Sequence, residues 1–331
     1  MEVMKYLEGQ VKRIEAEMDR FVPEGIEPEV LAKATRHLLE AGGKRLRPCL
    51  TLMACEAVGG KAEDAMETAA ALELLHTFTL IHDDIMDKDE FRRNVKTVHT
   101  IWGEPVAIIA GDALFAKVFE AVAANAKRLK LPADRVVELF DTVSKASFEI
   151  CQGQALDMLF EERNDIGEKE YLKMVSGKTG ALIEASTKVG ALLGRGKPEQ
   201  VRALAEYGRL IGVAFQIHDD ALGLIGEEKK FGKPIGSDIR EGKRTLVIVR
   251  ALEATPDSRK TIARVLGKRK ASKAEIEAVI EILKDTGAID HAAKKARELV
   301  ARAKAKLNVL PDSKARRFLL ELADFTVERE F

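Results

Sequence analysis

The sequence predicts an all-α protein. Apolar residues recur at helical spacing along almost the whole chain, and no segment alternates apolar and polar residues as a half-buried strand does. The composition is 46% hydrophobic but only 5% aromatic, the balance of an Ala-, Leu-, Glu- and Lys-rich helical core. At 331 residues the chain exceeds the usual domain size of about 100–200 residues. No Pro-, Gly- or Ser-rich linker interrupts it, so one domain over residues 1–331 is expected.

Taken in order, helices are expected near residues 2–20, 28–40, 46–58, 62–88, 103–126, 134–161, 168–192, 198–226, 243–253, 257–267, 272–284, 287–306 and 312–327. The first is charged and amphipathic and lacks the apolar core of a secretory leader. Gly42-Gly43, Gly59-Gly60 and Gly194-Arg195-Gly196 supply the stops. The richest apolar stretch, Val106 to Ala124, carries Asp112, Lys117 and Glu120, so it reads as a core helix and not as a membrane span. Between residues 226 and 243 the helical period fails. There Gly226, Gly232, Pro234, Gly236 and Gly242 alternate with charged residues, the pattern of a mobile loop able to fold over a bound ligand.

Lys+Arg and Asp+Glu are both 54, which leaves no global field to attract nucleic acid or an anionic membrane. Cys49, Cys55 and Cys151 have no metal-ligand spacing, and their odd number argues against a disulfide framework. A reducing cytoplasm is the expected location.

The segment Ile-His-Asp-Asp occurs twice, at residues 81–84 and 217–220, each time inside an apolar helical pattern. Paired carboxylates resist desolvation and repel one another, so they persist there mainly with a cation. The first copy continues to Asp87, and Asp83 and Asp87 lie one helical turn apart on one face. Hard oxygen donors favour magnesium or manganese over zinc, and magnesium usually completes its shell with substrate phosphates. A phosphorylated ligand is therefore implied. An isolated Asp-Asp-x-x-Asp is as often a solvated helix end; the second copy and the cations nearby favour the metal.

Three basic clusters complement the acids. In Gly42-Gly43-Lys44-Arg45-Leu46-Arg47-Pro48 a glycine pair precedes cations at the start of a helix, the makings of a phosphate grip. Arg92-Arg93 follows Asp87 by five residues and offers guanidiniums to two phosphate groups. Ser176-Gly177-Lys178-Thr179-Gly180 sets a lysine beside a hydroxyl in an interrupted helix.

These segments, with Gly153-Gln154-Ala155-Leu156-Asp157, Phe215-Gln216-Ile217-His218-Asp219-Asp220 and Gly232-Lys233-Pro234-Ile235-Gly236-Ser237-Asp238 through Gly242-Lys243-Arg244-Thr245, stand in the order found in trans-prenyl diphosphate synthases. The chain resembles that family, and within it the archaeal short-chain enzymes that make geranylgeranyl diphosphate. The resemblance spans about residues 30–250. It implies the isoprenoid synthase fold, a bundle of roughly ten core antiparallel helices around a deep apolar cavity, with both acidic motifs at its mouth, and a homodimer with helices near 103–161 as contact surfaces.

The resemblance also implies roles. Asp83, Asp84, Asp87, Asp219 and Asp220 would hold roughly three magnesium ions, with manganese an alternative and with Asp84 and Asp220 open to a supporting role. Lys44, Arg45, Arg47, His76 and Arg93 would grip isopentenyl diphosphate. Arg92, Lys178, Lys233 and Lys243 would hold the allylic diphosphate, while Lys178, Thr179 and Gln216 stabilise the allylic cation. Leu75, Phe78 and Thr79 descend from Asp83 toward the cavity, and Phe78, about 7 Å down at 1.5 Å per residue, would be the floor that stops the product at twenty carbons. A farnesyl product remains open.

Two positions depart from the family's pattern. Gly223 replaces the third Asp of the second motif, and Arg93-Asn94-Val95-Lys96-Thr97 lacks the usual Gly after the arginines. With Glu227 four residues beyond Gly223, the second motif also loosely fits a class I terpene cyclase, although a cyclase has no use for a second diphosphate grip. A non-catalytic regulatory subunit is the other alternative, and it would be expected to lose an acidic motif or the grip. A head-to-head condensing enzyme is disfavoured by the same grip.

Overall fold

Ala69, Ala70, Ala71, Leu72, Leu74 and Leu75 are all buried, so one helix carries apolar side chains around its whole circumference and must lie inside other helices. In the computed structural model, which describes residues 2–163, 165–225 and 236–328, that helix is α4. The order begins α1 (Glu2–Phe21), α2 (Glu29–Glu40), α3 (Leu46–Ala57), α4 (Met66–Asp87), α5 (Val98–Trp102), α6 (Glu104–Arg128), α7 (Ala133–Glu161) and α8 (Glu168–Val175). It continues with α9 (Ala181–Leu193), α10 (Pro198–Ile225), α11 (Ser237–Glu241), α12 (Leu246–Ala254), α13 (Pro256–Val265), α14 (Lys273–Asp285), α15 (Ala288–Lys306) and α16 (Lys314–Glu328). No helix among the described residues is long and apolar enough to cross a membrane.

The described residues form two compact units. The first draws on Met1–Lys145, Ala185–Ala205 and Val309–Glu321. In it α4 packs against α1, α3 and α6. A buried polar cluster ties α4 to α6: Asn125 on α6 accepts from the Thr68 amide at 3.1 Å and from the Thr68 hydroxyl at 2.7 Å, and donates to the Asp64 carbonyl at 2.8 Å. Such satisfied polar contacts fix the register of two otherwise smooth alanine-rich surfaces.

The second unit draws on Ala146–Glu184, Glu206–Asn308 and Leu322–Phe331. There α12 packs on α13, α14 and α15, with Thr245, Thr255 and Ser272 capping α12, α13 and α14 through their hydroxyl oxygens. Elsewhere in this unit backbones touch. A Cβ built on Gly153 would lie 2.1 Å from the Lys178 amide nitrogen, and one on Gly212 would lie 2.9 Å from the Gly180 Cα.

The structure departs from the sequence reading where elements are short. Residues 91–96 hold a hairpin that no periodicity predicts, with Phe91 opposite Lys96 and Arg92 opposite Val95; two-residue strands cannot show alternation. Its turn is Arg93-Asn94, both at positive φ (53° and 64°), the twist that two-residue hairpins prefer. Asn tolerates this conformation, so the missing Gly is answered locally. Residues 62–65 are 3₁₀ and not α, the predicted 168–192 helix is broken by a π turn at Ser176–Gly180, and residues 237–241, expected as loop, are helical between Gly236 and Gly242.

Candidate active site

In the first unit α4 runs out at Asp87, and Lys88 ends it in the left-handed conformation, its amide donating back to the Asp84 carbonyl. Asp83 and Asp87 are half-buried on the last turns, whereas Asp84 is buried. The Arg92 guanidinium bonds Asp84 Oδ1, while the buried Asp84 Oδ2 has no hydrogen-bond partner. Burial, with the nearby charges of Asp89 and Asp83, pushes Asp84 up to about 6 in spite of Arg92. A buried carboxylate oxygen lacking a donor is stabilised by any cation that reaches it.

Across from these acids stands a desolvated cationic cluster. Arg93 donates to the Leu38 carbonyl at 3.0 Å and lies 3.8 Å from Glu73. Its guanidinium packs on the bare Cα of Gly43, where a Cβ would come within 3.1 Å of Cζ. Arg47 has a buried Nε without a partner, and burial pulls its guanidinium down from the ordinary value, Arg93 adding to the effect and Glu73 opposing it. His76 is pulled well below the usual imidazole value by burial and then by Arg47, Arg93, Arg92 and Arg45. It is therefore a neutral ring among guanidiniums, in a pocket with more positive charge than its buried Glu73 balances. Such a pocket favours an anion. Lys44 is exposed on the loop above α3.

Arg45 corrects the sequence reading. Its side chain is fully buried, donating to Glu73 at 3.0 Å, to the Leu39 carbonyl at 2.6 Å and to Glu15 at 3.2 Å. It holds the glycine loop from within and presents nothing to a ligand. Adjacent cations in sequence point in opposite directions here because Arg45 takes a left-handed backbone (φ 45°) at the start of α3.

Below the acids, the Phe78 ring lies 4.7 Å from the His82 ring and 5.0 Å from Phe115, which leads on to Phe119 (5.1 Å) and Phe140 (6.2 Å). Leu75 is buried and Thr79 turns its hydroxyl back to the His76 carbonyl at 2.8 Å.

In the second unit Thr179 donates to Gln216 Oε1 at 2.9 Å, and Gln216 Nε2 donates to Asp220 Oδ1 at 2.8 Å. The Tyr171 hydroxyl donates to the other Asp220 oxygen at 2.7 Å. Asp220 is buried and Asp219 half-buried. Burial, then the charges of Asp238 and Asp219, push Asp220 up to about 8, against the two hydrogen bonds. Beside them, a Cβ at Gly223 would lie 3.7 Å from Asp238 Oδ2, so a carboxylate from α11 borders the space that the absent third Asp would use.

Lys178 and Lys243 meet on one carboxylate. Asp157 Oδ2 accepts from Lys178 at 2.7 Å and from Lys243 at 3.1 Å, and Lys243 also bonds Glu161 at 2.7 Å. Burial would raise Asp157, but the two ammonium groups hold it below the usual carboxylate range. Sequence reasoning quoted Asp157 within a motif without giving it a task, and missed Glu73 and Tyr171 altogether. The available signal was an acid or a phenol at an inward position of an apolar helix. Lys233 and Glu227 lie outside the described residues.

Among the described residues no three His, Cys, Asp or Glu side chains converge as a ready-made metal cage. One or two carboxylates per ion, with substrate phosphates completing the shell, is the usual magnesium arrangement. Asp83 and Asp87 in the first unit, Asp219 in the second and the unpartnered oxygen of Asp84 fit that donor set.

The profile of the polyprenyl synthetases matches residues 28–283. The chain belongs to the polyprenyl synthetase family. Among relatives, the chain is 48% identical to the short chain isoprenyl diphosphate synthase of Methanothermobacter thermautotrophicus, over 100% of this chain and 99% of that one. It is 44% identical to the geranylgeranyl pyrophosphate synthase of Geoglobus acetivorans, over 99% of each. The crystal structure of geranylgeranyl pyrophosphate synthetase from Pyrococcus horikoshii superposes with a TM-score of 0.93 at 45% identity, over 99% of both chains. The all-helical polyprenyl synthetase fold is thus shared over the whole length.

Proposed function

We propose that the protein is a trans-prenyltransferase that joins isopentenyl diphosphate head to tail to an allylic diphosphate, releasing diphosphate and making mainly geranylgeranyl diphosphate. The observation that carries this reading is the second cationic pocket. Asp83 and Asp87 would serve one diphosphate through a cation, whereas Arg47, His76 and Arg93 in the same unit form a desolvated cluster in want of an anion. A terpene cyclase has no second diphosphate to fill it.

Asp83, Asp87 and Asp219 are the proposed ligands of roughly three magnesium ions, with Asp84 and Asp220 orienting them. A bound divalent cation supplies charge neutralisation for the departing diphosphate. The remaining work falls to the chain. Lys178, Lys243 and Arg92 hold the allylic diphosphate while its C–O bond breaks and the electron pair leaves with it. Thr179 and Gln216 direct oxygen dipoles toward the allylic cation. Arg47, His76 and Arg93 orient isopentenyl diphosphate so that its double bond attacks that cation, and the released diphosphate removes the proton. A single domain over residues 1–331, acting as a homodimer in the cytoplasm, completes the proposal.

Incubation with magnesium, labelled isopentenyl diphosphate and dimethylallyl, geranyl or farnesyl diphosphate tests the reading. A dominant twenty-carbon alcohol after dephosphorylation is the expected result. No incorporation with any starter would sink it, and a cyclic hydrocarbon formed without isopentenyl diphosphate would favour the cyclase. Phe78→Ala is expected to shift the main product to twenty-five carbons or more while kcat/KM for geranyl diphosphate stays within about fivefold, since the ring stacks on His82 and Phe115, neither of them assigned to a diphosphate. An unchanged product distribution would remove Phe78 as the floor.

A further inference from the structure

The π turn at Ser176–Gly180 presents Lys178 and Thr179, and one residue outside the proposed site braces it. Arg209 on α10 donates from Nη1 to the Ser176 carbonyl at 2.7 Å, from Nη2 to Glu149 on α7 at 2.7 Å, and from Nε to Glu184 at the start of α9. Its Cδ lies 3.1 Å from where a Cβ on Gly180 would sit. The guanidinium therefore ties the first residue of the turn to α7 and to α9, the helix that follows it.

We propose that Arg209 is a positioning residue for prenyl transfer, a clamp that fixes the π turn so that Lys178 and Thr179 face the allylic diphosphate; this rests on the prenyltransferase reading above. Arg209 and Gln216 are seven residues apart on α10, two turns along the same face. One bonds the entry of the π turn at Ser176, and the other bonds Thr179 at 2.9 Å. A π turn is a poorer hydrogen-bonding arrangement than α and persists where surrounding contacts impose it. Here they come from two sides. A Cβ on Gly177 would lie 2.8 Å from the Glu149 carbonyl, so α7 abuts the turn, and Arg209 grips it from α10. Only a planar fork with donors on three nitrogens reaches all three acceptors at once, which a lysine cannot do.

The test compares Arg209→Gln, Lys178→Ala and the double variant in steady-state kinetics at a temperature where circular dichroism shows each folded. Arg209→Gln is expected to lower kcat about 30-fold, with KM for isopentenyl diphosphate within about twofold, because that substrate is held by residues of the other unit. In the Lys178→Ala background the same change should lower kcat by less than about threefold, since a clamp has little left to position. A wild-type kcat in folded Arg209→Gln, or an undiminished 30-fold loss in the Lys178→Ala background, would overturn the proposal. Should Arg209→Gln not fold, Glu149→Gln removes one arm of the clamp, with an expected loss of about tenfold and the same dependence on Lys178. If the wild type incorporates no isopentenyl diphosphate, the prenyltransferase reading fails and the clamp is still decided. Amide exchange at residues 177–180 should then quicken at least about tenfold in Arg209→Gln relative to the end of α9, and unchanged exchange would exclude it.

Discussion

Asp83→Asn is expected to lower kcat by about 10³-fold or more, roughly 4 kcal/mol of lost transition-state stabilisation. Asp83 is half-buried, so the substitution leaves no desolvated charge behind and the fold should survive it. The loss is chemical: with Asp83 neutral, the last turn of α4 keeps one half-buried carboxylate, Asp87, to place a cation against the departing diphosphate. The KM for isopentenyl diphosphate should stay within about threefold, because Arg47, His76 and Arg93 are untouched. The magnesium concentration for half-maximal rate should rise. A kcat within tenfold of wild type would mean that the acids at the end of α4 are not the ligands.

Asp220→Asn should separate stability from activity. An unfolded aspartate ionises near 3.8, whereas folded Asp220 is pushed up to about 8. Between those values the folded state holds a proton that the unfolded state has lost, so stability falls as pH rises through that window and is lowest above about 8. Asp84 adds to the slope up to about 6. Without divalent cation the wild type should therefore melt lower at pH 8.5 than at pH 5.5. Asn cannot ionise, and at pH 8.5 the variant should gain about 1–3 kcal/mol, a Tm rise of roughly 2–6 °C. Its kcat should fall about 100-fold, because Gln216 loses the carboxylate that orients it. Thermal melts across pH read the first effect, and a variant that melts below wild type at pH 8.5 would refute the account of Asp220.

Much of this was legible beforehand because it is written in period and spacing. The long helices follow from apolar recurrence, and the pair of half-buried acids on the last turns of α4 from carboxylates at i and i+4 in apolar surroundings. Direction was not legible. Lys44, Arg45 and Arg47 look alike in sequence, and only the left-handed backbone at Arg45 turns that side chain inward to Glu73 and Glu15. The π turn was equally silent, since one extra residue in a turn alters no composition; its trace was the run of Gly153, Gly177, Gly180 and Gly212, whose purpose is visible only when backbones are seen to touch. Asp157 needed its partners Lys178 and Lys243, distant by 21 and 86 positions, before a buried acid became a hinge of charge.

The aromatic file beneath Phe78 has a further consequence. Its rings follow one another at 5.0, 5.1 and 6.2 Å, spacings comparable to one extended five-carbon unit. Under the proposed prenyltransferase reading, a product tail lying along this file would meet an obstacle at about each monomer length, a ruler with discrete marks. Trimming rings one after another from Phe78 onward should add one further condensation per ring removed, whereas a jump of several isoprene units on the first trim would mean that the rings do not act one at a time.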